Sequence, residues 1–185
     1  MLERAVATPP KELAAPAGFR PAAVLVAFAP DGRLLLTVRT ANLPSHAGQI
    51  AFPGGRLEPG ETPEQAALRE AWEEVQLDPQ QAHPLGRLPA VLSPHGFHVT
   101  PVLAWLDARP RLQPSPDEVA EVLWVPLAEL AAAPAWSELR ERGGLRREVW
   151  HYPWRGRDVW GLTANVLHDL LEKVCGAGPR PPTRG

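Results

Sequence analysis

The chain has 185 residues, with 19 Lys and Arg against 21 Asp and Glu and a formal net charge of −2. This balance, without a basic stripe, argues against a protein that binds nucleic acid or an acidic membrane surface. No apolar run reaches the roughly 18 residues of a membrane span, and the N-terminus lacks a signal-peptide core. Cys175 is the single cysteine, which excludes an intrachain disulfide. We therefore expect a cytoplasmic protein with Cys175 in its core.

One domain is expected over residues 21–175, with an irregular Ala- and Pro-rich arm at 1–20 and a flexible tail at 176–185. Strands are predicted at 22–29, 33–39, 49–52, 85–92, 99–106, 119–125 and 147–152, and a turn at 30–32 makes a hairpin of the first two. Short helices are predicted at 11–15 and 126–133, and a closing helix at 161–174. Strands interleaved with helices favour a mixed sheet covered by helices on both faces.

Residues 54–77 form the most informative stretch, a glycine loop followed by a helix. Thr62 is a good N-cap, Pro63 suits the first helical position, and Gln65 completes a capping box with Thr62. The helix is expected to run to Val75, because the following Asp-Pro pair at 78–79 stops it.

The two faces of this helix differ in chemistry. One face is predicted to pack on the core and the other to carry three carboxylates: Leu68, Ala71, Trp72 and Val75 against Glu70, Glu73 and Glu74. Carboxylates about 5–6 Å apart repel by about 3 kcal/mol per pair at an effective dielectric of about 20, and Arg69 neutralises only part of this. A solvated amphipathic helix is the alternative, but the glycines at 54, 55 and 60 favour a ligand site. Oxygen ligands suit Mg²⁺ or Mn²⁺ better than Zn²⁺.

The spacing of six residues resembles the signature of the Nudix hydrolases: Gly55, Glu61, Arg69, Glu70, Glu73 and Glu74. One position departs, because Gln76 stands where the family has a glycine just past the helix. That glycine serves a helix end with positive φ, so Gln76 implies a different cap or a strain of about 1 kcal/mol.

The resemblance implies an α/β fold, the α/β/α sandwich with a mixed sheet between helices, and hydrolysis of a nucleoside diphosphate linked to another group. It implies Mg²⁺ or Mn²⁺ held by Glu70, Glu74 and the Gly54 carbonyl, with Glu73 as a third ligand or a water-orienting group. Arg69 and Glu61 would orient these ligands. The general base is left open between Glu118, Glu121 and neither, since both also suit a solvated strand entrance.

A second resemblance concerns the substrate. The Leu-Leu-Thr-Val-Arg run at 35–39 and the Gly-Gln-Ile-Ala-Phe-Pro-Gly-Gly run at 48–55 are similar to the signature of the coenzyme A diphosphatase branch. This implies cleavage of coenzyme A to 4′-phosphopantetheine and adenosine 3′,5′-bisphosphate. Thr40 replaces the usual Ser and keeps its hydroxyl, whereas Pro44 replaces an Arg and removes a phosphate contact. The implied substrate-binding residues are Arg39, His46, Gly54 and Gly55; a surface ion pair for Arg39 and a loop cap for His46 are the alternatives.

Several rival interpretations stay open at this point. A Nudix hydrolase of ADP-ribose or a nucleoside triphosphate, and a non-catalytic nucleotide-binding module, are the alternative functions. The histidines at 95 and 98 indicate a loop rather than a metal site. The tryptophans at 136, 150, 154 and 160 are expected in the core, with an adenine contact or a subunit contact as alternatives. Whether the chain forms a homodimer is also open.

Overall fold

The computed structural model describes residues 15–41, 48–142 and 145–176. Its strands are β1 (Arg20–Phe28), β2 (Arg33–Arg39), β3 (Ile50–Ala51), β4 (Gly54–Arg56), β5 (Ala82–Arg87), β6 (Val91–Leu92), β7 (Phe97–Leu106), β8 (Val119–Pro126), β9 (Trp136–Arg142), β10 (Leu145–Trp154) and β11 (Arg157–Trp160). Its helices are α1 (Pro63–Val75), α2 (Leu127–Ala131) and α3 (Leu162–Cys175), with a 3₁₀ turn at Pro79–Gln81. In the described part of the chain, no helix has the length and apolar character needed to cross a membrane. The helix predicted at 11–15 falls almost entirely outside the described residues, and His46 and Pro44 fall wholly outside them.

The main sheet is mixed, as predicted. Strand β1 runs parallel to β7 from Arg20 opposite Phe97 to Phe28 opposite Trp105, and its other neighbours are antiparallel. Strand β2 lies between β3 and β8, and it meets β1 only at the hairpin, where Phe28 lies opposite Leu34. The sheet therefore opens between β1 and β2 towards the C-terminal end of β2.

Both faces of β1 are buried, which explains its nearly continuous apolar sequence. Ala23, Leu25 and Ala27 belong to the core under α1. Val26 and Phe28 point to the opposite core, which α3 and the C-terminal strands cover. This alternation places a layer of structure on each side of the sheet, and the expected sandwich is confirmed.

The C-terminal part contains a second sheet in the order β11-β10-β9. The sequence indicated only its central strand, because β9 is rich in charged residues and β11 is four residues long. Trp150 and Trp154 are buried in the core, whereas Trp136 and Trp160 lie half-buried on either side of His151. Core packing therefore accounts for two of these four tryptophans.

The predicted core face of α1 was wrong at Trp72, whose exposed fraction is 51%. The residues buried against the sheet are Ala66, Ala67, Ala71 and Val75, and Leu68 packs beside them. Because alanines allow the helix backbone to approach the sheet closely, the buried sector is rotated away from Trp72. The same rotation buries Glu74, which the sequence had placed on the opposite, polar face.

Both ends of α1 have a defined cap. Thr62 and Gln65 form the reciprocal capping box. At the other end, Gln76 adopts the left-handed conformation with φ 55° and ψ 38°. Its N–H donates to Trp72 O at 2.9 Å, and Leu77 N donates to Ala71 O at 3.3 Å. Gln76 thus takes the geometry that the family gives to glycine, and it carries the associated strain.

Candidate active site

Two glycines bring the backbone of β4 against β1 and α1. A Cβ atom on Gly54 would collide with the backbone of Ala23 and Val24. A Cβ atom on Gly55 would overlap the carboxylate of Glu70. No other residue type fits either position without movement of a strand or of this carboxylate. The glycine loop therefore places its backbone directly beside the acidic residues of α1.

Arg69 is the centre of the hydrogen-bond network around these acids. Its Nε and Nη2 donate to the two carboxylate oxygens of Glu61 at 2.8 and 3.0 Å. Its Nη1 donates to Glu70 at 2.9 Å and to Glu73 at 3.3 Å, and Nη2 also donates to the Arg56 carbonyl at 2.9 Å. The hydrogen bond from Arg69 lowers the pKa of Glu61, and the Glu61 carboxylate raises the pKa of Arg69. One guanidinium thus joins the glycine loop to three carboxylates.

The carboxylates of Glu70, Glu73 and Glu74 differ in how far they are exposed to solvent. Glu73 has 54% of its side chain exposed, whereas Glu74 is only 3% exposed as a residue. Burial, with a smaller contribution from the charge of Glu70, raises the pKa of Glu74 to about 8, against the opposing effects of Arg39 and the Gly54 backbone. Burial also raises the pKa of Glu70, although its hydrogen bond from Arg69 opposes this. The site therefore concentrates negative charge that its own arginines only partly neutralise.

Arg39 is the last residue of β2. Its positive charge lowers the pKa of Glu74, so the two groups are electrostatic neighbours. Among the described residues its Nε is buried and has no hydrogen-bond partner. A buried guanidinium N–H without a partner is costly, so this donor is available to an acceptor that the described residues do not supply. The alternative of a surface ion pair for Arg39 has no support in the described residues.

The segment before β8 closes the site next to α1. Ser115 N donates to Glu74 O at 2.8 Å, and Thr40 N donates to Glu118 O at 3.0 Å. The Thr40 hydroxyl donates to Asp117 O at 3.1 Å. Thr40, which the sequence marked only as a departure from the usual Ser, therefore holds the backbone next to Glu118.

The two candidate bases lie in different surroundings. The charge of Glu118 raises the pKa values of both Glu70 and Glu74, so Glu118 faces the acidic cluster. Glu121 instead accepts a hydrogen bond from Arg157 at 2.8 Å on the exposed surface. Only Glu118 is thus positioned near the site.

Comparison with known proteins agrees with this geometry. The family model described as NUDIX domain matches residues 18–143. The chain belongs to the Nudix family. That match includes the glycine loop, α1 and the segment that carries Glu118, so the whole acidic site lies within it.

Curated relatives extend the similarity over most of the chain. "Uncharacterized Nudix hydrolase NudL" from Pectobacterium atrosepticum is 43% identical over 159 residues, covering 84% of this chain and 83% of the relative. The protein of the same name from Photorhabdus laumondii is 41% identical over 170 residues, covering 90% of each chain. The protein is therefore a Nudix hydrolase on the evidence of both the family model and these relatives.

Solved structures show the same fold. The Nudix hydrolase RenU from M. smegmatis is 30% identical, with a TM-score of 0.50 over 61% of this chain and 73% of its own. A MutT/nudix family protein from Enterococcus faecalis matches with a TM-score of 0.54 over 89% of this chain and 65% of its own, at 17% identity. The second likeness supports the fold alone.

Nudix hydrolases generally use divalent ions such as Mg²⁺ or Mn²⁺, which prefer oxygen ligands. In residues 15–41, 48–142 and 145–176, no three His, Cys, Asp or Glu side chains are gathered closely enough to ligate an ion as they stand. The donor chemistry nevertheless fits, because the buried carboxylate of Glu74 and the half-buried one of Glu70 offer only oxygen atoms beside a backbone loop. Glu73, in contrast, has 54% of its side chain exposed. Glu70 and Glu74 are thus the more enclosed pair of oxygen donors.

Two histidines that the sequence singled out, His95 and His98, lie outside the acidic cluster of α1. His95 lies in a loop, as predicted, where His95 N and Gly96 N both donate to Ser93 in a turn. The loop prediction was wrong for His98, which is the second residue of β7. Sequence reasoning missed Arg20 and Phe97, which lie opposite each other where β1 and β7 begin. Arg20 and Phe97 are 77 positions apart in the chain, so no local sequence pattern predicts their contact.

Proposed function

We propose that this Nudix hydrolase cleaves the pyrophosphate bond of coenzyme A and its derivatives, with Mg²⁺ or Mn²⁺, to give 4′-phosphopantetheine and adenosine 3′,5′-bisphosphate. The observation that carries this proposal is Arg39, the arginine of the 35–39 run, whose buried Nε has no partner beside the Glu74 carboxylate. A guanidinium in this position can bind a phosphate of the substrate through two N–H groups.

The carboxylates are assigned from their surroundings. Glu70 and Glu74 are the proposed metal ligands, the Gly54 carbonyl is an additional ligand, and Glu73 is a third ligand or orients water. When bound, the divalent ion supplies charge neutralisation at the phosphoryl oxygens and a lower pKa for a coordinated water. Glu61 and Arg69 hold Glu70 in position through the hydrogen bonds at 2.8 to 3.0 Å described above.

Glu118 is the proposed general base. Its charge acts on Glu70 and Glu74, which supports a position beside the reacting water. Glu121 is a poorer candidate because Arg157 occupies its carboxylate at 2.8 Å. A base must reach the proton that it removes, and geometry precedes pKa in choosing it.

Turnover of a substrate panel tests the proposal. Coenzyme A, ADP-ribose and a nucleoside triphosphate are compared by kcat/KM with Mg²⁺ and with Mn²⁺, and the products of coenzyme A are identified by mass spectrometry. We expect coenzyme A to give the highest kcat/KM and to yield the two products named above. The proposal fails if coenzyme A is the poorest substrate of the panel. Turnover of none of them at high protein concentration would instead favour the non-catalytic module.

A further inference from the structure

Two arginines meet over one aromatic ring at the edge of the glycine loop. The guanidinium carbon of Arg20 lies 4.3 Å from the centre of the Phe97 ring, and that of Arg56 lies 5.2 Å from it. The strand registers bring them together, since Arg20 lies opposite Phe97 and Arg56 lies opposite Ala22. Residues two apart on a strand share a face, so Arg20, Ala22 and their strand partners lie on one side of the sheet. We call Arg20 and Arg56 the arginine pair.

The arginine pair carries uncompensated charge. Both residues are exposed, and among the described residues neither guanidinium has a hydrogen bond or ion pair with a carboxylate. Other arginines of the chain behave differently: Arg69 binds Glu61, Arg87 binds Glu64, and Arg155 binds Glu129. Two cations held at the same ring repel each other, and an anion bound between them would offset this repulsion. The contacts with Phe97 limit how far the two guanidinium groups can move apart.

The arginine pair adjoins the acidic site but is separate from it. Arg56 directly follows the two glycines, and its carbonyl accepts a hydrogen bond from Arg69 at 2.9 Å. Gly55 faces Glu70, and because side chains alternate along a strand, the side chain of Arg56 points to the other side of β4. The arginine pair therefore lies at the edge of the glycine loop, on the face of β4 opposite Glu70, and a substrate bound at the glycines meets it only by extending past this edge strand.

We propose that the arginine pair binds a phosphate monoester on the ribose of the substrate, which is the 3′-phosphate in coenzyme A. This inference rests on the proposed function. A phosphate monoester carries close to two negative charges at neutral pH, and guanidinium groups bind it through paired N–H donors. ADP-ribose and nucleoside triphosphates lack this group. The arginine pair would thus make the enzyme select coenzyme A among nucleoside diphosphate derivatives.

Dephospho-coenzyme A, which lacks only the 3′-phosphate, provides the test. The ratio of kcat/KM for coenzyme A to that for dephospho-coenzyme A is measured in the wild type and in the Arg20→Met/Arg56→Met double variant. We expect a wild-type ratio of about tenfold or more, the effect of one or two charge-assisted contacts, and a ratio near one in the double variant. The matched control is Arg155→Met, which also removes an arginine over an aromatic ring, 5.2 Å from Trp154, and which should keep the wild-type ratio.

A pH series separates recognition of the phosphate from a structural effect. The second ionisation of a phosphate monoester has a pKa of about 6, so the wild-type ratio should rise as the pH increases through this value. The double variant should show a flat ratio. A wild-type ratio near one, or a double variant that keeps the wild-type ratio, overturns the inference while leaving the proposed function intact.

Binding measurements decide the inference if neither substrate is hydrolysed, an outcome that overturns the proposed function. Titration calorimetry then compares adenosine 3′,5′-bisphosphate with AMP in the presence of Mg²⁺. Tighter binding of the bisphosphate by the wild type, lost in the double variant, supports the arginine pair as a phosphate site. Equal affinities for the two nucleotides overturn it.

Discussion

Arg69 donates two parallel hydrogen bonds to Glu61, from Nε to Oε1 at 2.8 Å and from Nη2 to Oε2 at 3.0 Å. The remaining donor, Nη1, is thereby directed at Glu70, to which it donates at 2.9 Å. Glu61 is fixed in turn by the Glu58 N–H, which donates to its Oε2 at 2.8 Å. The loop before α1 thus orients a carboxylate within the helix through a rigid, planar connector.

Replacement of Arg69 by Lys should lower kcat/KM by about 10- to 100-fold, the usual cost of losing a group that orients a metal ligand. An ammonium group is a single point charge, so it cannot hold both Glu61 and Glu70 in the same arrangement. Steady-state hydrolysis of the best diphosphate substrate measures the effect. The matched control is Arg87→Lys, which breaks a similar fork onto Glu64 of the same helix, outside the acidic cluster. Equal losses in both variants would show that helix anchoring, and not ligand orientation, is responsible.

Replacement of Glu74 by Gln should lower kcat by about 10³-fold or more, equivalent to about 4 kcal/mol, with the fold intact. The amide has nearly the same shape as the carboxylate but cannot supply the negative charge that the proposed metal site requires. Stopped assays at saturating Mg²⁺ give kcat, titration calorimetry gives Mg²⁺ affinity, and circular dichroism reports the fold. Glu129→Gln, in an ion pair with Arg155, is the control. A nearly wild-type rate for the Glu74 variant would refute the metal assignment.

The stability of the metal-free protein should fall as the pH rises between about 4.5 and 8. Burial raises the pKa of Glu74 to about 8 from the 4.5 of an ordinary glutamate, so in this window the folded state keeps a proton that the unfolded state has released. The free energy of unfolding decreases with pH wherever the folded state binds more protons. Urea denaturation in EDTA at several pH values measures this slope.

Glu74→Gln provides the control for this pH effect, because its side chain does not titrate. The difference in the free energy of unfolding between the variant and the wild type should grow in favour of the variant as the pH rises towards 8. Addition of Mg²⁺ should stabilise the wild type more at the upper end of the window, since metal binding requires the deprotonated carboxylate. Parallel pH profiles for the two proteins would contradict the raised pKa.

Replacement of Gln76 by Gly should increase the free energy of unfolding by about 1 kcal/mol, because the residue lies at φ 55°. A glycine has no Cβ atom to strain this conformation. Thermal unfolding measures the change, and activity should be unaffected since Gln76 lies beyond the acids of α1. Gln76→Ala retains a Cβ atom and should show no gain. A comparable gain from alanine would mean that the side chain, and not the backbone conformation, is the source of strain.

Replacement of Thr40 by Val should lower kcat by roughly 10-fold, an effect on the scale of losing one positioning hydrogen bond. The hydroxyl donates to Asp117 O at 3.1 Å and so holds the backbone next to Glu118. Thr40→Ser retains the hydroxyl and should restore the wild-type rate. If both variants have the same kcat, the hydroxyl does not position Glu118, and buried packing at residue 40 explains any loss.

Local sequence patterns were sufficient for the elements whose physics is local. The capping box of Thr62 and Gln65 and the bounds of β2 follow from local preferences within a few residues. At position 76 the sequence left a different cap and a strained left-handed residue as alternatives, and the structure has the second. The family was indicated by the spacing of Gly55, Glu61 and Arg69 together with the acids of α1. The helix turn that brings those acids together is itself a local feature, since residues three or four apart are neighbours on any helix.

Only the tertiary structure decided which of those acids is buried and what lies opposite them. The close packing of Ala67 and Ala71 on the sheet rotates α1, so that Trp72 is exposed and Glu74 is enclosed. The distinction between Glu118 and Glu121, and the meeting of Arg20 with Arg56 over Phe97, depend on strand registers between distant parts of the chain. Such long-range contacts have no local signature, because the side chains that form them become neighbours only after the sheet has assembled.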